Sequence, residues 1–241
     1  MDRLLKLLRD NARNRIRNRA ENLLPARAES GEEATLYLYD VIVSDDFCGG
    51  VAAESFVKAL NALDAPVIHL RINSPGGDVF AARAVEAAIR SHTSRIVAHV
   101  DGYAASAASF VAVACDEVEI APGGFFMIHK AWTFTAGNAD ELLHAAAMLE
   151  KIDASLVDTY AQRTGRTPDD IAAWMRAETW FSAAESLECG FADRVAEAAP
   201  KAQAAWDLSV YANAPAAEAS PETPNRERYE RTARLFAATR H

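Results

Sequence analysis

Val67-Ile68-His69-Leu70-Arg71-Ile72-Asn73-Ser74-Pro75-Gly76-Gly77-Asp78 is a strand that runs into a tight turn ahead of a helix. Val67, His69 and Arg71 alternate with Ile68, Leu70 and Ile72, the two-residue period of an extended chain with two unlike faces. Pro75 fixes its own φ, and two glycines then allow a turn whose backbone N–H groups face outward. Residues 79–91 follow with helical periodicity. N–H groups at such a helix start make a ready anion site, suited to a developing oxyanion. Taken alone, Ser74 to Gly77 is equally a plain strand-to-helix turn.

Working outward, strand-like and helix-like pieces alternate from residue 35 to residue 195, the pattern of an α/β domain. Strands are expected at 35–43, 67–73, 95–100, 117–121 and 125–129. Helices are expected at 51–63, 79–91, 105–114 and 139–163. In the longest, Leu142, Leu149 and Leu156 step by seven with Ala145 and Ile152 between them. A seam of that kind packs on another helix, of the same subunit or of a neighbour.

The chain has 241 residues, 51 of them alanine, which suits one layered domain with closely packed helices. That length buries enough surface to need no disulfide or structural metal. No apolar run is long enough to span a membrane, and the amino terminus lacks a signal-peptide core, so a cytoplasmic protein is expected. Cys48, Cys115 and Cys189 are widely spaced with no Cys-x-x-Cys pair, which fits a reducing compartment and argues against a zinc site. The net charge of −9 counts against nucleic acid as the main partner.

The charge is uneven. Residues 1–30 carry eight Lys/Arg against four Asp/Glu, while the remainder carries 17 against 30. Residues 2–24 read as a basic amphipathic helix, either a docking element or a helix packed on its own domain. Beyond residue 197, alanine and the prolines Pro215, Pro221 and Pro224 suggest a linker, and residues 225–241 are again basic. The expected organisation is a basic arm at 1–33, an enzyme-sized domain at 34–197, and a linker with a basic tail at 198–241.

Three further segments carry candidate chemistry. Gly102-Tyr103-Ala104-Ala105-Ser106-Ala107-Ala108-Ser109 follows an expected strand, and small residues around Ser106 let a substrate carbonyl approach its hydroxyl. A helix starting there would place the Ala107 N–H beside the same oxygen. Serine alone is a weak nucleophile and needs a base. His129, ending Gly123-Gly124-Phe125-Phe126-Met127-Ile128-His129, sits where a sheet edge can hold an imidazole rigidly. Glu178, before Thr179-Trp180-Phe181-Ser182-Ala183, is a candidate to fix the imidazole tautomer. Each also has a structural reading: a helix cap at Ser106 or Ser109, a hydrogen-bonded histidine, a surface carboxylate.

In this order, Ser74 to Gly77, Gly102 to Ser106, Met127 to His129 and the acidic residue before an aromatic-Ser-Ala helix start resemble the Clp protease proteolytic subunit family. More narrowly, they resemble the Clp-related head maturation proteases of tailed phages. The resemblance covers about residues 36–195. It implies a crotonase-like fold of repeated ββα units with a long protruding handle helix, and a serine endopeptidase that needs no metal and no cofactor. By the same carry-over, Ser106 is the nucleophile and His129 the general base. Gly77 and Ala107 supply the oxyanion N–H groups, and the Gly76–Gly77 backbone lies along the substrate. The family's usual third residue is Asp, and Glu178 stands at that position. Implied partners are polypeptides, read here as capsid and scaffold proteins, and further copies of the chain in a ring.

The housekeeping Clp subunit opens with a pore-lining hairpin where this chain has a basic arm, which argues against an ATP-driven unfoldase partner. No Walker-type motif is present, so the chain itself hydrolyses no ATP. Three other roles share parts of this pattern. A Clp peptidase working with an unfoldase has the same chemistry. A crotonase-type acyl-CoA enzyme has the fold without the Ser–His pair. A scaffolding component would retain a dead protease fold.

Overall fold

The computed structural model describes residues 26–27, 33–45, 49–197 and 213. The expected helix at 2–24, and the tail apart from Asn213, lie outside them. Strand β1 (Ala26–Arg27) pairs antiparallel with β2 (Glu33–Leu38). β2 then lies parallel to β5 (Val67–Ser74), β5 to β6 (Arg95–Ala105), β6 to β7 (Glu117–Ile120), and β7 to β10 (Arg194–Val195). Crossovers between parallel strands require intervening helices, and these are α1 (Ala53–Asn61), α2 (Val79–Ser91) and α3 (Ala107–Ala112). The α/β class expected from the alternating pattern is what the chain adopts.

One face of this sheet is the core. Leu36, Leu38, Ile68, Leu70, Ile72, Ile96, Val100, Val118 and Ile120 are all buried there. Their other-face neighbours are polar and bond across strands. His69 Nε2 lies 3.3 Å from Glu33, His69 Nδ1 lies 2.8 Å from His99 Nε2, and His99 Nδ1 lies 2.9 Å from Glu119. Arg71 pairs with Asp101, which also accepts from the Tyr39 hydroxyl. The alternation legible in residues 67–72 therefore separates apolar core from a polar network.

β6 forks the sheet. Its first half pairs with β7, and its second half, Tyr103 to Ala105, pairs with β8 (Phe125–Ile128). The fork passes through Gly102, where a Cβ would lie 2.5 Å from the buried Asn73 Oδ1. β8 in turn pairs antiparallel with β9 (Thr179–Ser182). Between them run α4 (Ala139–Thr164) and α5 (Pro168–Ala177), and α6 (Ala183–Cys189) follows β9. α4 opens with a reciprocal capping box between Asn138 and Glu141 and ends at left-handed Gly165.

Three expectations are corrected. The strand expected at 35–43 is broken: β2 ends at Leu38, and β3 (Ile42–Val43) pairs instead with β4 (Val51–Ala52) in a separate two-stranded sheet. For the same reason the helix expected from residue 51 begins at Ala53. β6 runs to Ala105 rather than stopping at Val100, because β8 offers its last residues a partner. The leucine seam of α4 divides: Leu156 packs within the chain, whereas Leu142 faces outward, where only a neighbour could cover it.

Candidate active site

The Ser74–Gly77 turn is built on two supports. Ser74 Oγ donates to the Asp40 carbonyl at 2.6 Å and accepts the Gly76 N–H at 3.1 Å. Ile42 of β3 donates its N–H to the Gly76 carbonyl, and its own carbonyl accepts the Asp78 N–H. Both flanks of Gly77 are thereby pinned. A Cβ on Gly77 would fall 2.0 Å from the Ile42 carbonyl oxygen, so only glycine fits. Asp78 then caps α2, accepting the Ala81 N–H at 2.8 Å.

Ser106 stands between β6 and α3 with φ 52° and ψ −124°, a conformation that turns a strand sharply into a helix. Its N–H donates to the Met127 carbonyl on β8 at 2.9 Å. Its carbonyl accepts both the N–H and the hydroxyl of Ser109, and the Ser109 hydroxyl also lies 2.6 Å from buried Tyr160 of α4. The Ser74–Gly77 turn touches this point directly. A Cβ on Gly76 would lie 2.6 Å from the Ala107 nitrogen, 2.6 Å from the Ala105 carbonyl and 2.8 Å from the Ser106 Cβ. Two segments about 30 residues apart in the chain thus meet at one backbone contact.

His129 follows β8 by one residue, and its Nε2 lies 2.7 Å from Ser106 Oγ. Because Ser106 N–H is bonded to β8 two residues before the imidazole, sheet register sets this distance. Burial disfavours the imidazolium and pushes the His129 pKa down, while the nearby charges of Glu178 and then Asp153 oppose that shift. A neutral imidazole beside the hydroxyl can accept its proton, and the two carboxylates favour the cation that results.

Glu178 caps α5 in the left-handed region, with φ 51° and ψ 75°. Its Oε1 accepts the Asn213 N–H at 2.7 Å and lies 3.5 Å from Trp180 Nε1. The Asn213 side-chain amide donates to the Ala177 carbonyl at 2.8 Å. Ser106 and Glu178 are the only described residues other than glycine with positive φ, so backbone strain is concentrated on two candidate residues.

The structure therefore gathers Ser106, His129, Gly76 and Ala107 in direct contact, with Glu178 near enough for its charge to act on the imidazole. Sequence reading missed Asp153 and the Met175 carbonyl, which accepts the N–H groups of both Lys130 and Glu178. The Asp153 signal was present: a carboxylate on the stripe of α4 that also carries buried Leu156 and Tyr160. Of the cysteines, Cys115 is buried, with its thiol pKa pushed up by desolvation, and Cys48 lies outside the described residues. No described helix is long and apolar enough to cross a membrane.

Comparison with known proteins follows the same stretch of chain. Residues 35–199 match the family model described as Clp protease. The ATP-dependent Clp protease proteolytic subunit of Pleurastrum terricola is 30% identical over 158 residues, 62% of this chain and 81% of that protein. Subunit 1 of Chlamydia muridarum is 32% identical over 158 residues, covering 60% and 79%. Subunit 1 of Protochlamydia amoebophila is 29% identical over 184 residues, covering 73% and 89%.

Proposed function

Because this chain belongs to the Clp protease family and is a serine-type peptidase, we propose that Ser106, His129 and Glu178 are its catalytic triad and that it cleaves polypeptides through an acyl-enzyme. The observation that carries the reading is the 2.7 Å separation of Ser106 Oγ and His129 Nε2. In the first step His129 Nε2 takes the hydroxyl proton as Ser106 Oγ attacks the scissile carbonyl. The oxyanion forms between the N–H groups of Gly77 and Ala107, with the substrate backbone along Gly76 and Gly77. His129 then gives its proton to the leaving amine. Water, deprotonated by the same nitrogen, hydrolyses the ester and returns Ser106 to its starting state. Glu178 holds the ring and stabilises the imidazolium, the role Asp has in the wider family.

The setting we propose is that of a Clp proteolytic subunit, assembled in a ring and supplied with unfolded polypeptide by a separate ATPase. Support comes from the names of the relatives, which are ATP-dependent Clp proteolytic subunits of bacteria and green algae. They favour this setting over phage head maturation. One observation keeps the second reading in view: the positive residues 1–30 beside an otherwise acidic chain, which suit contact with acidic capsid or scaffold surfaces.

Ser106→Ala should lower peptide cleavage by roughly three orders of magnitude or more, as loss of a triad nucleophile does. Undiminished cleavage would remove Ser106 from the mechanism. For the setting, degradation of a folded reporter should rise when a Clp-type unfoldase and ATP are added. If instead a co-expressed capsid protein is trimmed with no effect of the ATPase, head maturation is the correct setting.

A further inference from the structure

The two residues after His129 are held by elements outside the triad. Lys130 donates its N–H to the Met175 carbonyl at 3.1 Å, and Ala131 donates its N–H to Asp153 Oδ1 at 2.7 Å. The other carboxylate oxygen, Asp153 Oδ2, pairs with Lys130 Nζ at 3.1 Å. Asp153 thus grips both the backbone and the side chain of the segment leaving His129, and it does so from α4, far along the chain. The Met175 carbonyl completes the frame, because it also accepts the N–H of Glu178.

Nothing about α4 itself asks for this residue. Asp is a weak helix former in a helix interior, and a buried carboxylate is costly unless it is paired. Asp153 is nonetheless only 9% exposed, in line with Leu156 and Tyr160 on the packed face. A leucine or alanine would fill that place more simply. Its bonding pattern provides the reason: a charge-assisted bond that fixes the peptide between residues 130 and 131, and an ion pair that holds the Lys130 side chain.

We infer that Asp153 is a positioning residue for His129, setting the imidazole against Ser106 by clamping residues 130 and 131 to the long helix. The inference rests on the assignment of His129 as the general base. The charged groups around the imidazole are Glu178 from the end of α5 and Asp153 from α4. Lys130, bonded to Asp153, stands beside it, and Glu150 and Arg176 line the same pocket as Asp153. Because the Asp153 charge raises the basicity of His129, its removal moves the acid limb of the rate profile to lower pH.

The test uses the full-length protein and a fluorogenic peptide, with kcat and KM measured across the acid limb. Asp153→Ala should lower kcat roughly tenfold to a hundredfold, the scale of loss from misplacing a reacting group, and leave KM within about twofold. Asp153→Asn keeps an oxygen for the Ala131 N–H and loses the charge. It should therefore lose less in kcat while shifting the acid limb to lower pH. A wild-type kcat and acid limb in both variants would overturn the inference, and if Asp153→Ala does not fold, an unshifted limb in Asp153→Asn does so alone. Ser106→Ala, run in parallel, separates the two levels, since cleavage by that variant defeats the triad assignment itself.

Discussion

Ser106 is held in a backbone conformation that side chains resist, at a cost of about 1–3 kcal/mol, because the turn from β6 into α3 must present the hydroxyl to His129. Ser106→Gly should relieve that strain and unfold at higher denaturant than Ser106→Ala, by roughly 1 kcal/mol, with both variants inactive. Gly76 has the opposite logic. Gly76→Ala puts a methyl against the Ala105 carbonyl and the Ala107 nitrogen, so the nucleophile must shift, and kcat should fall by about a hundredfold. The pH dependence follows from His129. Burial lowers its pKa below the ordinary 6.5, and only the neutral ring is a base, so kcat/KM should fall with decreasing pH through a midpoint below that value. Glu178→Gln removes a charge that favours the imidazolium, and the midpoint should move lower still. These residues were legible because the chemistry needs rare local patterns: a glycine pair after a strand, a serine among alanines, a histidine ending an apolar strand. Asp153 left only a faint signal, its place on the Leu156 and Tyr160 stripe of α4, and what that stripe packs against is decided by the fold.

The elements supply rigidity by pairing. β8 is the strand that places His129, and its buried Phe126 stacks on Phe191 at 5.4 Å between ring centroids. Phe126→Ala should destabilise the fold by about 3–5 kcal/mol, measurable by denaturant titration, with the Ser106–His129 distance lost before the rest of the sheet. Sequence periodicity gave β5, α2 and β7 nearly to their ends, because local alternation and burial agree there. It failed where a long-range partner decides. Residues 35–43 have strand character throughout, yet Ile42 leaves the main sheet to brace Gly76 and Asp78. Ala105 reads as the start of a small-residue helix, yet β8 draws Tyr103 to Ala105 into the sheet. α5, β9 and β10 were not anticipated, being short segments whose form depends on their neighbours.

At the scale of the molecule, the first turns of α4 and the segment before it leave Trp132, Phe134, Leu142, Leu143 and Met148 exposed, while its later turns pack on the core through Leu156 and Tyr160. Water-facing apolar groups suit a contact surface, and the ring assembly proposed above would set this one against further copies of the chain. Leu142→Glu together with Leu143→Glu should shift sedimentation from an oligomer toward the monomer, and an unchanged size would place the contact elsewhere. Everything rests on an activated Ser106, and a fluorophosphonate reads that directly. Treatment of the intact protein should add one phosphonyl group, mapped to the Ser106 peptide and lost in His129→Ala. An unlabelled protein, or a label carried on another serine, would contradict the account.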